Sequence, residues 1–343
     1  MNAKRVVGAL AVVVVLGLGA ASAGVVWFRS QTDPSGDAGA PQTVSVPRGS
    51  SAQTIAGILE DEGIIKSATA FRLYVKTEGA GPFLSGDYQL RPRDSFSALA
   101  AALEDGPEQK FQRLTIPEGL ILTQIAERVA ALPGRSAEKF LAVANSGEVR
   151  SRYQPAGSTN LEGLLFPDTY NVLETDDERA ILERMVNTFD AKAAEAGIDA
   201  VTQGGLVDPY QAIVVASLIE REVRIPGEQG MVSRVIYNRL RKDMLLQVDA
   251  SVIYALGRTG EKGLRVLFED LEVDSPYNTY KLKGLPPTPI AAPGLAALEA
   301  AVTPTPGDWI YYVVVQPDGT QAFGTTLAEH NANIALARKN GAR

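Results

Sequence analysis

No cysteine occurs among the 343 residues. That absence excludes a catalytic thiol, a zinc ribbon, a disulfide framework and a lipid-modified N-terminal cysteine. A single histidine, His330, cannot build a multi-histidine metal site, and there is no HExxH. A Ser-His-Asp triad would have to use His330, yet no GxSxG elbow occurs. No P-loop signature is present, and the only glycines spaced near a GxGxxG pattern lie inside the apolar N-terminus. Basic residues are also outnumbered, 33 to 40, and the net charge of −7 argues against a non-specific nucleic-acid binder. What remains for chemistry is carboxylates, amides and tyrosines, a set that suits sugars and implies no cofactor.

What is present begins with a long uncharged run, 6–28, VVGALAVVVVLGLGAASAGVVWF. As a helix it would extend roughly 35 Å, against about 30 Å of bilayer hydrocarbon. Lys4 and Arg5 precede it, which predicts a cytoplasmic stub at 1–5, a single transmembrane anchor at 6–28 and an extracytoplasmic remainder on the inner membrane. A cleaved signal peptide is the rival, because Ala21-Ser22-Ala23 resembles a cleavage site, but the apolar run continues past it. Residues 29–42 are rich in Gly, Pro, Ser and Asp and read as a flexible linker.

The next stretch contains an internal echo. Val44, Val46, Pro47, Gly49, Ile55, Ala56 and Leu59 recur as Leu114, Ile116, Pro117, Gly119, Ile125, Ala126 and Val129. Each copy reads as a short alternating strand, a Pro-x-Gly turn and an amphipathic helix. The first copy resembles a LysM-like module, a small βααβ unit that binds amino-sugar glycans; strand–turn–helix units also recur without any ligand. The expected organisation is a LysM-like module at 43–107, a second strand–helix unit with connector at 108–159, and a larger α+β domain at 160–340.

In that domain, Gln211 to Arg224 reads QAIVVASLIEREVR. Ile213, Val214, Val215, Ala216, Leu218 and Ile219 leave almost no polar face, so the predicted helix is buried nearly all round. Desolvation at its end would push the carboxyl of Glu220 upward and suit it to act as a general acid. Alternatively, Glu220 and Glu222 merely begin the solvated end of a core helix. Glu222, roughly 200° further around the axis, should face elsewhere. Further on, 247–256 reads as a short helix or strand. Two strands around Pro317-Asp318-Gly319 read as a hairpin.

The segments LEGLLFPDTY (161–170), ASLIERE (216–222), NRL (238–240), MLLQVD (244–249), SPYNTY (275–280), GLPP (284–287) and EHN (329–331) occur in an order that resembles the YceG-like family of endolytic murein transglycosylases, the MltG type. The chain departs from the family pattern at Ala250 and Thr288, and at Gln321 and Ala322 before Phe323. The resemblance implies that Glu220 is the acid/base for cleaving the MurNAc-β-1,4-GlcNAc bond of peptidoglycan. The products would carry 1,6-anhydro-MurNAc ends, and no metal would be needed. It also implies action on nascent glycan strands at the membrane beside peptidoglycan synthases. Glu162, Gln247, Asp249, Tyr277 and Asn278 are the residues expected to line the groove, each with a structural alternative in a cap, a helix start or a loop. His330 is expected to be structural. The rival functions are a membrane-anchored glycan-binding scaffold without activity and a hydrolytic muramidase using Glu162 or Asp249 as a second carboxylate.

Overall fold

The computed structural model describes residues 22–108, 111–225, 227–259 and 266–342. The chain divides into two compact units, one ending before Phe111 and one beginning there. Both are mixtures of helix and short antiparallel strand pairs.

The first unit runs β1 (Gln42–Val46), α1 (Ala52–Asp61), α2 (Ala68–Glu78), β2 (Gly86–Leu90) and α3 (Phe96–Asp105). β1 and β2 pair antiparallel with Val44 opposite Tyr88, so the alternate residues Val44, Val46, Tyr88 and Leu90 point inward. Ser51, Ser67 and Ser95 start the three helices, each hydroxyl accepting a backbone N–H of the first turn. Ile55, Leu59, Phe71, Phe96 and Leu103 complete a core of this unit's own.

The second unit runs β3 (Phe111–Thr115), α4 (Leu122–Ala130), α5 (Ala137–Ser146), β4 (Thr169–Leu173), α6 (Glu178–Glu195), α7 (Pro209–Glu222), α8 (Gln229–Arg241), α9 (Asp249–Ala255), α10 (Leu295–Val302), β5 (Tyr311–Val314), β6 (Gln321–Gly324) and α11 (Leu327–Lys339). β3 pairs with β4, which places Leu114 opposite Tyr170. The end of the LEGLLFPDTY segment is therefore a strand, partner to the second copy of the echo. One core joins Leu114, Ile125, Leu164, Met185, Leu218 and Leu298, so the segment from β3 through α5 shares its interior with α6, α7 and α10. The ambiguous stretch 247–256 is a helix, α9, and the hairpin forms as β5 and β6.

The expected transmembrane helix is corrected. Among the described residues no helix is long and apolar enough to cross a membrane. Residues 22–32, the first of the described residues, are helical, and Arg29 lies among them. Residues 6–21 of the apolar run lie outside the described residues.

α7 is the axis of the second unit. Asp208 caps it by accepting the Gln211 N–H at 2.8 Å, Gln211 returns the bond to the Asp208 N–H, and Pro209 occupies the first turn, where its missing N–H costs nothing. Ala212 through Ile219 are all buried. α10 packs on α7, and its alanines (Ala297, Ala300, Ala301) let the two helices approach closely. The backbone before α10 is held by the Ile290 N–H donating to Ser217 Oγ at 3.0 Å.

Candidate active site

Glu220 sits in the last turn of α7 and is half-buried. Its Oε2 accepts the N–H of Gly294 at 3.1 Å, at the N-cap of α10. Burial raises its pKa above the ordinary glutamate value, and the negative charge of Glu118 adds to the rise. The Gly294 N–H and the Arg221 guanidinium act in the opposite direction, since both stabilise the ionised form. Burial is the largest of these effects, so the net shift is upward, and the carboxyl still reaches solvent.

Glu222 faces another neighbourhood. Its carboxylate accepts the Ala250 N–H at 3.3 Å and the Tyr312 hydroxyl at 3.1 Å. Burial and the nearby Asp249 push its pKa up to about 7. Asp249 begins α9 and accepts the Tyr280 hydroxyl. Around this cluster, the buried Arg239 donates to the carbonyls of Leu246 at 2.6 Å and Ile310 at 2.7 Å, and Asn238 donates to those of Gly307 and Trp309. The NRL segment thus clamps the MLLQVD loop and the hairpin.

The other sequence-predicted residues divide by exposure and bonding. Glu162 is only 6% exposed, and its two oxygens accept the Leu122 N–H at 2.9 Å and the Tyr254 hydroxyl at 3.3 Å. Burial pushes it up to about 7. Tyr277 packs against Tyr254, ring centres 4.8 Å apart, and its hydroxyl lies 2.8 Å from Thr288 Oγ1. Asn278 is fully buried, with its amide donating to Leu271 and Val273 carbonyls and its carbonyl accepting the Tyr280 N–H. Gln247 is exposed, in a left-handed conformation (φ 51°), with its N–H donating to the Thr279 carbonyl at 3.0 Å. The structure therefore brings Glu222 and Asp249 together, links Glu162 to Tyr277 through Tyr254, and places Glu220 on the Gly294 turn.

A YceG-like family model matches residues 44–336. The chain belongs to the YceG-like family. It is 35% identical over 303 residues to the endolytic murein transglycosylase of Bacillus subtilis (strain 168), covering 84% of this chain and 82% of that protein. It is 30% identical over 321 residues to that of Streptococcus pneumoniae serotype 2 (strain D39 / NCTC 7466), with 85% of this chain and 58% of the relative covered. The crystal structure of a YceG-like protein from Listeria monocytogenes superposes with a TM-score of 0.56 at 34% identity, over 85% of this chain and 98% of that one.

The positions where this YceG-like chain departs from the family pattern have local partners. Thr288 holds the Tyr277 hydroxyl, and the Gln321 amide donates to the Glu222 carbonyl at 3.1 Å. The EHN segment also has local partners: Glu329 accepts the N–H of Thr325 at 2.7 Å, and His330 stacks on Tyr311 with ring centres 4.8 Å apart.

Two groups beside Glu220 were not among the sequence-predicted site residues. Glu118 reaches it from the turn before α4, and Arg221 donates to the Gly119 carbonyl at 3.0 Å. The Pro-x-Gly turn was visible as punctuation, but nothing local links it to a helix a hundred residues on. An open depression lined by Arg152, Tyr153, Asp199 and Tyr210 lies at the other end of α7, roughly 16 Å along the axis from Glu220. It is bridged by a solvent-exposed Arg152–Asp199 pair.

Proposed function

We propose that this chain is an endolytic murein transglycosylase in which Glu220 is the acid and then the base. It acts on peptidoglycan glycan strands. The observation that carries the assignment is a half-buried carboxyl at the end of a buried helix, its pKa raised by desolvation, in a chain whose relatives bear that name. Glu220 delivers its proton to the glycosidic oxygen between MurNAc and GlcNAc as the bond to the MurNAc anomeric carbon breaks. The carboxylate then removes the proton from the C6 hydroxyl of the same MurNAc, and the C6 oxygen closes on the anomeric carbon. The Glu220 proton is restored, no water is consumed, and the product ends in 1,6-anhydro-MurNAc.

Glu162, Tyr277, Asp249 and Gln247 are the residues we assign to the walls of the groove, and Asn278 to the loop that carries Tyr277. The first unit acts as a LysM-like glycan-holding module, a reading supported by its β1-α1-α2-β2 order and the antiparallel β1–β2 pairing. The setting is extracytoplasmic, where glycan strands are made, and the peptidoglycan synthases that extend them are the partners; cleavage terminates a growing strand.

A hydrolytic muramidase would need a second carboxylate free to activate water or attack the sugar. Both oxygens of Glu162 are occupied by protein donors, and Asp249 accepts from Tyr280. Cleavage in oxygen-18 water tests the choice. Internal attack leaves the new MurNAc end unlabelled and about 18 mass units lighter than a reducing end; incorporation of the heavy oxygen would make the enzyme a hydrolase.

A further inference from the structure

The carboxylate of Glu118 is an unusual neighbour for Glu220. Glu118 is exposed, and among the described residues it accepts no hydrogen bond and forms no ion pair. The turn that carries it is nevertheless fixed by backbone bonds of the two residues that follow. The Gly119 N–H donates to the Ala292 carbonyl at 2.9 Å, and the Ala292 N–H donates to the Leu120 carbonyl at 2.8 Å. These bonds lock the turn to the segment that enters α10. Gly119 is in the left-handed conformation (φ 76°), which a glycine adopts without strain.

Gly294 supplies the other half of the fit. Its own φ is −76°, open to any residue, so conformation does not call for glycine there. A Cβ at this position would lie 1.8 Å from Glu118 Oε1, so the Glu118 carboxylate occupies the space beside this glycine and would have to swing out to admit a side chain. The N–H of the same glycine donates to Glu220. Two carboxylates from elements about a hundred residues apart thus converge on one residue at a helix start.

We propose that Glu118 is a positioning residue for this reaction, acting through Glu220: its negative charge, seated against Gly294, opposes ionisation of the acid. The inference rests on the assignment of Glu220 above. The groups facing Glu220 account for the need. The Gly294 N–H from α10 and the Arg221 guanidinium from α7 both favour the carboxylate, and Glu118 from the β3–α4 turn is the charge that opposes them. Without it, burial alone would have to keep the acid protonated.

The test is the pH profile of kcat/KM for cleavage of purified glycan strands by the full chain, comparing wild type, Glu118→Gln, Glu118→Asp and Glu220→Gln. Glu118→Gln keeps the shape and removes the charge. Its alkaline limb should move down by about 0.5 to 1 pH unit, a loss of about three- to ten-fold on that limb, with little change on the acid side. Glu118→Asp should restore part of the shift. Added salt should narrow the difference between wild type and Glu118→Gln, because the pair is partly exposed. A Glu118→Gln profile superimposable on wild type, or one lowered equally at every pH, would overturn the inference while Glu220→Gln stays inactive. Activity in Glu220→Gln would instead remove the acid assignment, and this inference with it.

Discussion

A general acid must hold its proton at the working pH, and at the residue scale three carboxyls of the second unit are biased that way by burial. Glu162 and Glu222 are pushed up to about 7, Glu220 upward with Glu118 assisting. They differ in setting: Glu162 is enclosed by Leu122 and Tyr254, whereas Glu220 and Glu222 are both half-buried, Glu222 held by Ala250 and Tyr312 and Glu220 by the Gly294 N–H. The alkaline limb of activity should therefore report an apparent pKa above the roughly 4.3 of a free glutamate, and a limb at that ordinary value would remove burial as the tuning device.

The two carboxyls raised furthest, Glu162 and Glu222, make a stability prediction of definite sign. Their folded pKa values are raised, so the folded state holds their protons longer than the unfolded state. Their contribution is full below the ordinary value of 4.5 and is lost as pH rises through about 7. Glu162→Gln removes one such ionisation. Its melting temperature relative to wild type should rise between about pH 4.5 and 7 and level off above, measured by calorimetry across that range. A difference independent of pH would contradict the raised value. The buried helix that carries Glu220 near its end was legible in the sequence, because an apolar run ending in a carboxylate is a local pattern. Glu118 was not, since its meeting with Glu220 depends on long-range backbone bonds such as the one from Gly119 to Ala292.

At the scale of elements, the site depends on how closely the LEG turn approaches the segment before α10. Gly163 has φ 73°, and a Cβ there would lie 2.2 Å from Pro289 Cβ and 2.9 Å from the Ala291 carbonyl oxygen. Gly163→Ala should destabilise by about 2 kcal/mol or more, seen as a lower denaturation midpoint, and should lower activity by displacing the Gly294 turn. Asp208→Ala, at the far end of α7, removes a cap and should cost about 1 kcal/mol while leaving kcat nearly unchanged. α7 and the hairpin were readable because burial pattern and turn chemistry are written within a dozen residues. The pairing of β3 with β4 was hidden, because Thr115 and Thr169, whose hydroxyls lie 3.0 Å apart, are separated by α4, α5 and a long connection. Asn278 is buried with its donors and acceptor bonded inside its own loop, as a buried amide requires.

At the scale of the molecule, each unit has its own hydrophobic core, which predicts a division of labour. A chain beginning at Thr43 should cleave glycan strands in solution, and loss of cleavage would show that the preceding residues take part in the chemistry. The overall α+β class followed from the alternation of short strands and amphipathic helices. The transmembrane reading did not hold among the described residues, where no helix is long and apolar enough to cross a membrane.

The central claim is that one carboxyl, Glu220, both gives and takes the proton. Its most direct test is the mass-resolved yield of 1,6-anhydro-MurNAc-ended fragments from glycan strands treated with Glu220→Gln. The amide preserves shape and can still accept the Gly294 N–H, so the protein should melt near wild type and still bind glycan. It can neither protonate the glycosidic oxygen nor deprotonate the C6 hydroxyl, so the yield should fall by about 10⁴ or more, the upper end for acid–base catalysis. Near-normal release of anhydro-ended fragments by a folded Glu220→Gln protein would contradict the account and move the acid to another carboxylate.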